Sequence, residues 1–256
     1  ITAEEFATLQ PRLAAFLTHL GALRTRLHAD RIAVDIPALW AFLPEVGRLN
    51  APMMEARRQE APRYNVFQVL KIRHYEARVH SPFLVNLLSP HGSHAQGALF
   101  YRSFVNRVLP EEGDKLFHQW ERLDVVDEQY TGDGFIDIWI RNHAQRGRFC
   151  IIIENKVFAG DQKDQLSRYY DYARSLGFDD SEIRLFYLTL WPRREAETFS
   201  IPAERRKELE AARVLRYISY KEDILPWLHA VKHDVAAPKV QSVIRQYIST
   251  LYSLLQ

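Results

Sequence analysis

In the run Arg148-Phe-Cys-Ile-Ile-Ile-Glu-Asn-Lys-Val157 an apolar stretch ends in an acid and a lysine two residues apart. Successive side chains of a strand point to opposite faces, so Glu154 and Lys156 share one side with Ile152, while Ile151, Ile153, Asn155 and Val157 take the other. Upstream, Gly134-Phe-Ile-Asp-Ile-Trp-Ile140 alternates, which places Ile136, Ile138 and Ile140 on one face and Asp137 with Phe135 and Trp139 on the other. If the two strands are neighbours, Asp137 lies beside Glu154. Two carboxylates and an ammonium are costly to hold at one point without a cation, and hard oxygen ligands of this kind suit magnesium or manganese.

The elements that must position these residues follow from punctuation and periodicity. Arg122 to Thr131 reads as a strand, joined through Gly132-Asp133-Gly134 as a hairpin to the Asp137 strand, and Asn142 to Gly147 turns into the Glu154 strand. Gly160-Asp161 starts a helix that runs to Ser175, with Gly177 as its stop. Arg184–Leu190 and Val214–Ser219 read as further strands, and Glu204–Ala212, Lys221–Val231 and Val240–Leu255 as helices. Upstream, a charged helical stretch holds Lys71, Arg73, His74, Glu76 and Arg78, and Ser81-Pro82 reads as the N-cap and first position of a new helix stopped by Pro90. The fold class is α/β: a mixed sheet flanked by helices. Ahead of it, Ala3–Leu27 is amphipathic, Asp35–Phe42 is a short apolar helix, and the proline-bearing stretch 50–63 is a connection or weakly packed helix. The expected division is therefore a helical N-terminal extension over 1–60 and the main domain over 61–256.

Composition excludes some classes. The 34 basic and 32 acidic residues leave a net charge of +2, so any surface for a polyanion must be local. The one cysteine, Cys150, sits inside the apolar strand and reads as a core residue; a single cysteine fits a reducing compartment. No apolar run approaches the ~20 residues that cross a bilayer, and the N-terminus lacks a signal-peptide profile. The expectation is a soluble, cytoplasmic protein with no membrane partner.

Asp137, the Glu154-Asn155-Lys156 triplet, and Gln165 and Tyr169 four apart on the following helix resemble the PD-(D/E)xK nuclease superfamily. The stretch from Glu76 through His80-Ser81, Leu84, Leu87-Leu88 and Pro90 to the glycine-histidine loop is similar to an uncharacterised bacterial branch of it. Ile136 stands where the motif's proline would be, and the similarity covers roughly residues 65 to 190. The resemblance implies a restriction-endonuclease-like core and magnesium- or manganese-dependent hydrolysis of nucleic acid, DNA above all, with a homodimer as one form. It implies Asp137, Glu154, Lys156, Gln165 and Tyr169 as catalytic residues. It also implies Glu76, Asp137, Glu154 and the backbone carbonyl of Asn155 as metal ligands. Lys156 would orient or deprotonate the attacking water, and Gln165 and Tyr169 would support it or hold a phosphate. The alternative is a nuclease-fold protein without turnover that binds nucleic acid or serves as a scaffold.

Read singly, each residue has an ordinary explanation: Glu154 and Lys156 as a solvated pair, Glu76 paired with Arg73 or Lys71, Asp137 as a strand acid near a turn. Asp124, Asp127, Glu128 and Asp133 are alternative acids around the hairpin. His80, His91 and His94 lack the cysteine or carboxylate that would complete a zinc site, so loop packing or DNA contact is expected of them. Arg193-Arg194 and Arg205-Arg206-Lys207 are candidate phosphate contacts, and Trp191 and Tyr170 are expected in the core.

Overall fold

The apolar run that ends in Glu154 is the central strand of a five-stranded sheet. The computed structural model describes residues 11, 14–22, 44, 47, 48, 51–55, 58, 59, 61, 63–117 (backbone alone at 114 and 115), 120–142 and 147–256. The strands β1 (Leu123–Tyr130), β2 (Phe135–Asn142), β3 (Phe149–Lys156), β4 (Ile183–Thr189) and β5 (Leu215–Ser219) lie side by side in chain order. β1, β2 and β3 pair antiparallel, whereas β3, β4 and β5 are parallel. The antiparallel half follows from its tight hairpin: Gly132 and Gly134 hold φ of 95° and 118°, which side chains disfavour. The parallel half needs crossovers, supplied by the helices between its strands. Every residue of β3 and β4 is buried, as for strands covered on both faces.

The helices are α1 (Val66–Val69), α2 (Ser81–Leu88), α3 (Leu99–Val108), α4 (Gly113–Phe117), α5 (Gln165–Ser175), α6 (Ala203–Ala211), α7 (Leu225–Val231) and α8 (Pro238–Leu254). A π-helical turn leads into α2 (Glu76–His80) and another into α7 (Tyr220–Ile224). One face of the sheet packs Ile138, Ile140, Ile151, Ile153, Phe186 and Leu188 against Leu84, Phe104, Trp227 and Tyr247 of α2, α3, α7 and α8. The other packs Trp139, Cys150, Ile152 and Tyr187 against Leu166, Tyr169 and Ala173 of α5 and Leu209 of α6. Cys150 is a core residue there, and burial pushes its thiol up.

The chain divides into two compact units, residues 1–63 and 64–256. In the first, every described position from 11 to 59 is helical. The expected Asp35–Phe42 helix lies outside the described residues, as do parts of Ala3–Leu27 and of the turn at 142–147.

The strand alternation holds for β3 and breaks in β2. Ile136 joins Trp139 in one core while Ile138 and Ile140 join the other, so the three isoleucines do not share a face. The cause is local: Glu128, across from Asp137, is left-handed at φ 50°, and the ladder skips that pair. Ser81 is no N-cap. It continues a helical run begun at Glu76, while residues 70–75 turn rather than forming the expected charged helix. Helix α5 starts at Gln165 rather than near Gly160, because Asp164 is left-handed and Asp161 is committed elsewhere: its carboxylate accepts from Tyr187 Oη (2.7 Å) and Glu197 N (2.8 Å).

Candidate active site

The site opens where β2 and β3 part. Ile138 faces Ile153, so the next pair outward is Asp137 and Glu154, but no ladder pairing joins them. Instead the carboxylate Oδ2 of Asp137 accepts the N–H of Asn155 at 2.8 Å, substituting for the missing backbone partner. In an extended strand the N–H and C=O of one residue point to the same edge, so the Asn155 carbonyl turns to this fork as well. Two strands that cease to pair thus leave acid and carbonyl oxygens at one point.

Glu154 and Lys156 project together, as the period of two requires, and their ion pair is buried: Lys156 Nζ lies 2.7 Å from Glu154 Oε1. Nζ also donates to the Gly160 carbonyl at 3.0 Å. The second oxygen, Glu154 Oε2, is buried without a hydrogen-bond partner, an expensive arrangement for a carboxylate. Burial, with the Asp137 carboxylate beside it, pushes Glu154 up to about 8 against the opposing pull of Lys156. Burial in the fork pushes Asp137 up to about 6, opposed by the Asn155 N–H and by Lys156.

The π turn carries Glu76 into the same place. Its Oε1 accepts from the backbone N–H groups of Phe158 and Ala159, the latter at 2.8 Å, tying the start of the helical run to the segment leaving β3. Such turns often mark functional positions.

The Asn155 side chain points to the other face, where Nδ2 donates to Ser81 Oγ (3.0 Å) and Oδ1 accepts from Tyr220 Oη (3.1 Å). It is spent on packing, so only its backbone faces the fork. Gln165 and Tyr169 are joined one turn apart, Nε2 donating to the hydroxyl at 3.0 Å, and that hydroxyl donates to the Phe135 carbonyl. Gln165 Oε1 accepts from Gln162 N (3.2 Å). The pair therefore fixes the loop that offers the Gly160 carbonyl and the strand that carries Asp137, with no hydrogen bond to Lys156 itself.

Glu76, Asp137, Glu154, Asn155, Lys156 and Gln165 all line one cavity of about 640 Å³. All the site residues read from the sequence therefore meet in the cavity or directly behind it. The sequence did not mark His74, Tyr75, Arg78, Phe158 and Gln162, which share the lining. For His74, Tyr75 and Arg78 the signal was an aromatic-basic cluster at 71–78 next to the candidate acid Glu76; nothing local marks Phe158 or Gln162.

Other candidates fall away. His80 Nε2 donates to the Arg73 carbonyl (2.9 Å), which leaves Nδ1 to accept from Tyr247 Oη (2.8 Å). His94 donates to the Ser89 carbonyl and accepts from Gln96 N; His91 donates to the Glu121 carbonyl. Asp124 pairs with Arg141 and Asp133 with Arg168. Arg205 is bound by Asp171, and Arg206 by Glu195 and the Ala196 carbonyl, so two of the basic residues proposed for phosphate are already paired. Trp191 is exposed beneath the Lys221 ammonium rather than in the core, and Tyr170 lies partly buried under the Arg205 guanidinium.

Among the described residues no three His, Cys, Asp or Glu side chains are closed into a metal cage. The donors that face the fork are nonetheless hard oxygens, and the orphan Glu154 Oε2 is an acceptor for which the chain supplies no donor. A small divalent cation that keeps several waters fits such a partial set. No helix among the described residues is long and apolar enough to cross a membrane.

No curated protein and no solved structure matches the chain significantly. One family model matches, over residues 64–249, a span that holds both strands of the fork, the Glu76 turn and α5. The chain belongs to the PD-(D/E)XK nuclease superfamily.

Proposed function

We propose that the protein is a magnesium- or manganese-dependent nuclease that hydrolyses phosphodiester bonds in DNA. The observation that carries this reading is the fork itself: Asp137 and Glu154 from adjacent strands, with the Lys156 ammonium 2.7 Å from Glu154, at the floor of one cavity. Asp137, Glu154 and the Asn155 carbonyl would hold the cation, with Glu76 completing the set. When bound, the ion supplies the positive charge that stabilises the oxygens of an in-line displacement at phosphorus. An ammonium has three donors, and Lys156 uses one on Glu154 and one on Gly160. The third is left for the attacking water or a non-bridging phosphate oxygen, which it would orient. Gln165 and Tyr169 hold the loop and the strand edge that keep this geometry.

The test is a cleavage assay on labelled DNA and RNA with magnesium, manganese or chelator, comparing the native chain with Lys156→Ala. Metal-dependent cleavage that falls at least about 100-fold in the variant is expected. Native and variant protein behaving alike would instead favour a binding module that kept the fold without turnover.

A further inference from the structure

The floor and the rim of the cavity differ in kind. Glu154, Asn155, Lys156 and Gln165 are recessed, each 3 % exposed or less. Around them large rings stand in water: Tyr75 is 51 % exposed, Phe135 55 % and Phe158 55 %. One ring pair at this rim joins distant parts of the chain, and a second lies on the hairpin that carries Phe135. His74 and Phe158 lie 5.2 Å apart on the segments joined by Glu76, and Tyr130 and Phe135 lie 5.1 Å apart on the β1–β2 hairpin. Arg78, exposed on the same lining, adds positive charge beside the rings.

From this rim, and resting on the nuclease reading above, we infer that the cavity takes nucleic acid as a single strand, with unpaired bases stacked on Phe158, Tyr75 and Phe135. In a duplex each base is already stacked between neighbours and presents no free face to a side chain, whereas every unpaired base does. Aromatic rings interleaved with a basic residue are the surface that an unpaired strand recognises without reading sequence. The depth of the acids points the same way: a flexible single-strand backbone can descend to a recessed floor, and a stiff paired backbone reaches it only by opening.

The test is fluorescence anisotropy of one end-labelled DNA oligonucleotide, free or annealed to its complement, titrated with the whole chain in calcium. The single strand should bind at least about 10-fold more tightly than the duplex. Phe158→Ala with Tyr75→Ala should weaken single-strand binding at least about 10-fold and leave duplex binding unchanged. Phe135→Ala, on a separate element, should act in the same direction, and a thermal melt checks that each variant is folded. A duplex bound as tightly as the single strand, no binding of either, or folded variants that bind like the native chain would overturn the inference. Selective binding of single strands without cleavage in manganese would sink the nuclease reading and leave this one standing. Equal cleavage of duplex and single strand would do the reverse.

Discussion

Asp137 is held in its charged form at a cost. Its pKa is raised to about 6, and its charge helps drive Glu154 up to about 8. For an acid whose folded pKa lies above its unfolded value, the folded state is penalised once pH exceeds the unfolded pKa, near 4, and the penalty is complete above the folded pKa. Asp137→Asn removes it while the amide oxygen can still accept the Asn155 N–H. Thermal or denaturant melts in chelator at pH 8 should show this variant more stable than the native chain by about 1–2 kcal/mol, since solvent reaches part of the group and screens its charge. The gain should vanish below pH 4, and a variant less stable at pH 8 would contradict the assigned repulsion. Glu154 and Lys156 were legible in the sequence because a period of two at the end of an apolar run makes them project together, whereas Asp137 was read from a neighbouring strand whose alternation does not hold throughout. Trp191 was expected in the core, but it stands beyond the end of β4 and lies exposed under Lys221, a partner distant in sequence.

The elements around the fork are joined by buried side chains. Asn155 links β3 to Ser81 of α2 and to Tyr220 of the turn before α7. Tyr220→Phe leaves the buried Asn155 oxygen without that donor, a loss of about 1–3 kcal/mol that urea melts would register. Because the Asn155 backbone meets Asp137, cleavage should slow roughly 10-fold with KM for nucleic acid little changed. Unchanged turnover would show that the link is structural only. The strand order and the place where pairing turns parallel come from the fold, whereas the mixed sheet and its first hairpin could be read from the turns and the order of elements. The face swap at Ile136 could not, because it depends on a left-handed Glu128 in the neighbouring strand. Nor could the late start of α5, where tertiary bonds to Asp161 override a local helix signal.

At the scale of the molecule, both faces of the sheet are covered by helices from within residues 64–256, so this unit holds its own core. Expressed alone, it should melt within about 4 °C of the full chain and keep metal-dependent cleavage, followed by circular dichroism and the same assay. Aggregation or loss of cooperative melting would show that residues 1–63 are needed for folding. At the cavity rim His74 and Tyr75 come together with Phe135 and Phe158 only through the fold, so no spacing in the sequence joins them. Whether Asp137 and Glu154 share one divalent cation is read directly by electron paramagnetic resonance of free manganese. Titrated with the native chain, the free-ion signal should be lost, and Asp137→Asn should weaken that binding at least about 10-fold, equivalent to 1.4 kcal/mol. Equal manganese binding by native and variant protein, or none by either, would contradict a shared cation.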